Sequence, residues 1–301
     1  MNTSFAPASC GFELETGGTA FGELRRSGDI LADTEALRNR MEEDGYLYLP
    51  GFFDRSAVLE VRRELCSQLE AAGRLDPDFP VIDAVPCPAG KTPAFPRGGR
   101  FPVNRRHPAI ERFLFGPQIL GFYRSLLGGD VRHFDHTWIR SVLPGPGTAA
   151  HCDLVYMGRG THDICTAWIP YGDISCELGG LMVLEGSHHQ SERLAHYLAV
   201  DVDTYCSNRP GGYKHKSGLL TKNPVVLREK LGGRWLTTDF KAGDLLTFGM
   251  KLVHASLDNQ SDRIRLSTDT RYQLASREID PRWVGPDTEE YAEKNRVGKL
   301  C

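Results

Sequence analysis

The feature that most constrains this chain is the texture from about residue 130 onward, where short apolar runs alternate with turn signals. "VRHFDHTWIRSVL" is followed by "PGPG". Then come "HCDLVYM", "ICTAWIPYG", "GGLMVLEGSHH", "GDLLTFGMKLVHAS", "LDNQSD" and "RIRLSTDTRYQL". Short strands at regular spacing, separated by Gly, Pro, Asn and Asp, predict an antiparallel sandwich or barrel. Residues 190–235 interrupt the pattern with polar sequence too long for a hairpin turn. Insertions of this length in compact domains tend to be lids or binding loops.

The first part of the chain reads differently. Over 30–75 the spacing predicts helices. Asp54 is a candidate cap, Val58, Val61, Leu65 and Leu69 share one face, and Gly73 ends the run. A third helix is expected over 108–128. Residues 74–107, rich in Pro, Gly and Arg, read as loop, and residues 1–28 read as a flexible polar arm. The tail from 276 to 301 is polar and is expected to wrap the surface.

Composition narrows the function classes. The chain has 301 residues, 40% hydrophobic and 25% charged, with net charge −3. That is enough length for a substantial core, and the balance gives no basic excess to suggest a nucleic-acid partner. No run of about 18 apolar residues predicts a membrane span. The start lacks the basic and apolar blocks of a signal peptide. The eight cysteines are scattered and form no C-x-x-C pair, which suits reduced thiols in a cytoplasmic protein.

Candidate chemistry begins at "HCDLVYMGRG" (151–160). Read as a strand, His151 and Asp153 project from one face. A buried carboxylate needs a partner, which is either a neighbouring imidazole or a metal cation. His254 ends a later apolar strand. After a polar turn, Arg263, Arg265, Ser267 and Asp269 alternate with Ile264, Leu266, Thr268 and Thr270, so a charged row faces either solvent or a polar cavity. Two imidazoles, one carboxylate and open positions suit a ferrous ion that must still bind a co-substrate and dioxygen. Arg265 beside Ser267 is a fork-shaped donor set for a carboxylate.

These segments, with "MEEDGYLYLPGFFD" near the start and "AWIPYGDISCELGGLMVLEGSHH" between, resemble the phytanoyl-CoA dioxygenase family of iron(II)- and 2-oxoglutarate-dependent oxygenases, over roughly residues 38–275. The resemblance implies a mainly β fold with flanking helices around a double-stranded β-helix (jelly-roll, cupin-like) core. It places that oxygenase domain at 29–275, with 190–235 as insertion or lid. It implies that His151, Asp153 and His254 hold iron(II), that Arg265 pairs with the distal carboxylate of 2-oxoglutarate with Ser267 assisting, and that Trp168 lies near that pocket. Arg140 matches a position where some relatives carry a basic residue, which would contact co-substrate or substrate. Core packing is the other reading of Trp168.

The family chemistry implied is decarboxylation of 2-oxoglutarate to succinate and carbon dioxide, with dioxygen consumed and a substrate C–H bond oxidised. Relatives that halogenate carry a small residue where this chain has Asp153, so hydroxylation, or a related desaturation or ring closure, is expected. A non-oxidative cupin-like metal enzyme and a non-catalytic binding protein are the alternatives. Arg265 and Ser267 argue against the first, and the retention of His151, Asp153, His254 and Arg265 argues against the second. The expected partner is a small molecule. Arg97, Arg100, Arg105 and Arg106 would suit an anionic one if they approach the site, and otherwise form a solvated patch. Tyr156, Met157 and Arg159 are candidates for the substrate side. The oligomeric state is open. His188 and His189 in "EGSHH" read as a structural turn.

Overall fold

Two mainly antiparallel sheets stack face to face, because most of their strands carry apolar side chains on both faces and so need cover on both. A computed structural model describes residues 6–88, 107–202 and 217–285. The strands are β1 (Ala8–Ser9), β2 (Phe12–Glu13), β3 (Phe21–Glu23), β4 (Tyr46–Leu49), β5 (Val131–His133) and β6 (Trp138–Val142), followed by β7 (Ile164–Pro170), β8 (Leu181–Leu184), β9 (Trp235–Thr237), β10 (Leu245–Gly249), β11 (His254–Ser256) and β12 (Arg265–Leu274). The helices are α1 (Thr34–Asp44), α2 (Arg55–Ala71), α3 (Pro108–Leu114), α4 (Pro117–Leu127), α5 (Leu154–Met157), α6 (Ala195–Leu198) and α7 (Pro224–Leu231).

The major sheet runs β4-β10-β7-β12-β5, with β6 also paired to β12. The minor sheet runs β11-β8-β9-β3. This is the expected double-stranded β-helix with flanking helices. Between the sheets lie Tyr46, Tyr48, Trp168, Leu181, Val183, Leu246 and Phe248. The outer face of the major sheet, including Leu266 and Tyr272, packs on α2, α3 and α4. Met182, Leu184 and Trp235 on the other side of the minor sheet meet Leu227 of α7.

The helices begin and end for local reasons. Asp33 and Asp54 cap α1 and α2, their carboxylates accepting from the N–H of Ala36 and Ala57. Val58, Val61, Leu65 and Leu69 of α2 are buried as their spacing predicts, each contributing roughly 1.5–3 kcal/mol of burial. Gly45 stops α1 at φ +77, where a Cβ would lie 2.6 Å from the His188 ring. His188 in turn meets the Glu42 carbonyl at 3.1 Å, so the "EGSHH" turn braces the end of α1.

Four expectations are corrected. The single helix over 108–128 is two, because Pro117 cannot continue α3 and any Cβ at Gly116 would sit 2.4 Å from the Arg112 carbonyl. "HCDLVYM" is not a strand. His151 makes one bridge, and α5 then turns Leu154 and Met157, three apart, into a cluster with Trp138 and Trp283. The N-terminal arm is packed from residue 6 onward. β3 pairs parallel with β9, and Leu14, Phe21 and Leu24 are buried. Part of the polar tail is also interior. Asp280, Arg282 and Trp283 are buried, with the Trp283 ring tilted against Trp138 at 4.8 Å. Arg97, Arg100, Arg105 and Arg106 lie outside the described residues, as does the middle of the 190–235 insertion. Among the described residues no helix is long and apolar enough to cross a membrane, and the six cysteines are unpaired.

Candidate active site

His151, Asp153 and His254 converge at one end of the space between the sheets. One donor atom from each lies within 4.8 Å of the others, and no other such group of His, Cys, Asp or Glu occurs among the described residues. The His151 Nδ1 faces the Ala149 carbonyl at 2.8 Å and the His254 Nδ1 faces the Leu252 carbonyl at 3.1 Å. With Nδ1–H donating to these carbonyls, each Nε2 is left as a free lone pair, the form a metal requires. Burial, and the neighbouring His254, push His151 down to about 3. Burial also lowers His254, against the pull of Asp153. Both imidazoles are therefore neutral near pH 7.

Asp153 is buried yet charged. Burial works against its ionisation, but Arg271, the two histidines and the Thr166 hydroxyl outweigh it and hold the carboxyl at about 2. Its Oδ2 accepts from Thr166 Oγ1 at 2.5 Å and from Arg271 Nη2 at 2.8 Å. Its Oδ1 lies 3.8 Å from His254 Nε2.

The adjoining cavity is lined by His151, His254, Thr166, Trp168, Phe248, Arg140, Arg265, Asp269 and Arg271, among others. Arg265 is 3% exposed, and its Nε and Nη1 have no hydrogen-bond partner. Burial and the nearby Arg140 push it down to about 10. A buried guanidinium with unmet donors is costly unless an anion completes it. Ser267 is on the same face of β12, fully buried, its hydroxyl also unpartnered, though it does not reach the cavity wall. Trp168 serves in both of its readings, lining the cavity and packing on Phe240 at 4.7 Å.

Arg140 reaches the cavity but is engaged. Its Nε and Nη2 donate to Asp269 at 2.8 and 3.0 Å, and Asp269 accepts from Arg271 at 2.7 Å. Arg271 and Thr166 are the residues that sequence reasoning missed. The alternation through Arg265, Ser267 and Asp269 extends to Arg271, and that was the available signal. Thr166 gives none, being one polar residue in an apolar strand. Of the candidate substrate-side residues, Tyr156 stands edge-on to the His151 ring at 5.6 Å, Met157 is in the core, and Arg159 pairs with Asp201 at 2.6 Å. The described stems of the insertion are tied to the donor segment. The Tyr197 hydroxyl accepts from the Cys152 N–H at 2.9 Å and donates to the Gly218 carbonyl at 2.7 Å.

With Asp153, which Arg271 holds, counted beside the lining Asp269, three guanidiniums stand against two carboxylates and leave the site one positive charge in excess. A divalent cation together with a dianionic oxo-acid leaves that balance unchanged. Three donors on one side and an unanswered guanidinium on the other thus fit iron(II) and 2-oxoglutarate together.

A double-stranded β-helix with this donor set defines a non-haem iron oxygenase scaffold. Residues 41–267 match the phytanoyl-CoA dioxygenase (PhyH) family. The chain is 28% identical over 293 residues to 1-deoxypentalenic acid 11-beta-hydroxylase of Streptomyces exfoliatus, with 90% of this chain and 93% of that one covered. Its fold is similar to that of EctD from S. alaskensis, at TM-score 0.56 and 18% identity over 90% and 89% of the two chains. It is also similar to the non-heme alpha-ketoglutarate-dependent epimerase SnoN from nogalamycin biosynthesis, at TM-score 0.54 and 19% identity over 84% and 88%. The chain belongs to the phytanoyl-CoA dioxygenase family and is an enzyme of the iron- and 2-oxoglutarate-dependent oxygenase class.

Proposed function

We propose that this enzyme hydroxylates a C–H bond of a small organic molecule, with His151 Nε2, Asp153 and His254 Nε2 as iron ligands, Arg265 receiving the distal carboxylate of 2-oxoglutarate, and Ser267 backing Arg265 from the same face of β12. The observation that carries the reading is the unpartnered Arg265 guanidinium on the wall of the cavity that the two histidines line. Bound iron(II) supplies oxygen activation coupled to oxidation of the 2-oxo acid. The protein's residues do the rest. The imidazoles stay neutral, Asp153 stays ionised, and Trp168 and Phe248 keep the wall apolar. The retained Asp153 carboxylate favours hydroxylation over halogenation. A relative that hydroxylates an organic acid supports a small, anionic substrate. Unpaired cysteines support a cytoplasmic setting. The 190–235 stretch, tied to the donor segment through Tyr197, is read as the cover of a catalytic domain spanning 29–275.

The test is conversion of 2-oxoglutarate to succinate by the purified protein with iron(II), ascorbate and oxygen, stimulated by members of a panel of small organic acids. Turnover should vanish in His151→Ala and in Asp153→Ala. Undiminished turnover in both refutes the ligand assignment.

A further inference from the structure

Arg271 and Thr166 line the cavity but are assigned neither to the metal nor to the distal carboxylate, and both end on one atom, Oδ2 of Asp153, at 2.8 and 2.5 Å. That oxygen is fully engaged. The other, Oδ1, accepts nothing and faces His254 Nε2 at 3.8 Å. A carboxylate free to rotate can give a metal one oxygen or two. We infer that Arg271 and Thr166 are positioning residues that fix Asp153 as a one-oxygen ligand, so that the second oxygen cannot occupy the metal position 2-oxoglutarate needs. The inference rests on the ligand reading above and deepens it.

Arg271 has little freedom to release its hold. Its Nη1 donates to Asp269 at 2.7 Å, and Arg140 grips Asp269 by two donors. The guanidinium also lies 4.3 Å over the Trp138 ring, and Trp138 is backed by Trp283. Arg140, Asp269, Arg271 and Asp153 alternate in sign and sum to zero, so the row is a neutral rod, buried from Asp269 inward, that ends at Oδ2, the oxygen it holds away from the metal position. Outer partners of this kind orient metal ligands and tune what they bind.

The test is anaerobic titration of the full chain, first with iron(II) and then with 2-oxoglutarate, following the visible charge-transfer absorption of the chelate. Thr166→Val removes one donor and leaves every charge in place. Arg271→Lys keeps the charge and loses the fork. In both, the 2-oxoglutarate Kd should rise by about fivefold or more beyond any rise in the iron(II) Kd, as the freed oxygen competes. A smaller rise in Kd overturns the inference, as does parallel loss of iron and 2-oxoglutarate, which a merely structural role would produce. If Arg271→Lys does not fold, Thr166→Val alone decides by the same criteria. The two readings fail separately. Wild type or Asp153→Ala decides the ligand assignment by whether iron binds, and these variants decide only how the carboxylate is held.

Discussion

His151 and His254 are joined through the backbone as well as through their side chains. Each N–H donates to the other's carbonyl at 3.0 Å, forming a single antiparallel bridge. Directly opposed residues in such a pair project to the same side, which brings the rings to 4.2 Å. The bridge uses main-chain atoms only, so it survives loss of an imidazole. His254→Gln should therefore keep the fold, with a melting temperature within a few degrees of wild type, and lose iron affinity by more than about a hundredfold, beyond the range of outer-partner losses. Calorimetric titration with iron(II) beside a thermal melt checks both.

Arg265 predicts an exchange of stability for function. In the metal-free protein its guanidinium is buried with two unmet donors, so Arg265→Leu relieves an uncompensated charge. The variant should be more stable by about 1 kcal/mol or more, on the scale of a buried unsatisfied group. It should need at least tenfold more 2-oxoglutarate, from loss of a charged hydrogen bond worth roughly 1.5–3 kcal/mol, with iron affinity little changed. Urea midpoints and succinate release against 2-oxoglutarate concentration measure the two effects. A destabilised Arg265→Leu would mean that the cation is matched by something other than a ligand.

Which parts of this site the sequence exposes follows from physics. His151, Asp153, His254 and Arg265 are legible because a metal centre concentrates polar residues in apolar runs, where burial makes them conspicuous. Arg271 and Asp269 are equally buried, but alternation alone does not say whether a charged row faces water or the interior. Only the pairing of Asp269 with Trp168 and of Arg271 with Thr166 across β12 and β7 settles it. The docking of "FGE" onto β9 has no local signal, since three residues of parallel pairing depend on a distant partner. Trp283 sits in a polar stretch, and its burial follows from Trp138, far away in sequence. Pro117 splitting the third helix was legible but masked by the apolar period around it.

The packed N-terminal segment gives a third prediction. The Asp258 carboxylate accepts from the N–H groups of Cys10, Gly11 and Gly147 at 2.6, 2.8 and 2.7 Å, pinning the β1–β2 turn to the loop after β6, four residues before His151. Removing the carboxylate strands three donors. Asp258→Ala should lose about 3 kcal/mol of stability, on the scale of charge-assisted bonds that do not add fully. Limited proteolysis should then cut within the first twenty residues at protease levels that leave wild type intact. Retained protection at those residues would show that Leu14 and Phe21, rather than Asp258, hold the segment.

Acid sensitivity follows from the two imidazoles. His151 is held at about 3 and His254 is also lowered, in both cases chiefly by burial, against an ordinary value of about 6.5. Between those limits the unfolded chain binds protons that the folded chain refuses. Stability therefore rises with pH across the window, is complete above about 6.5, and is lost on acidification. Asp153, held at about 2, adds a further loss only below about pH 4, when the unfolded carboxyl protonates. For the chelator-treated protein, unfolding free energy should be flat from about pH 8 to 7. Below that it should fall, with a slope approaching about 1.4 kcal/mol per pH unit for each displaced imidazole. His151→Asn removes one of these groups. Its urea midpoint should match wild type within a small offset at pH 8 and fall less steeply between pH 6 and 5. Parallel curves for variant and wild type would show that the His151 imidazole takes up a proton in the folded state.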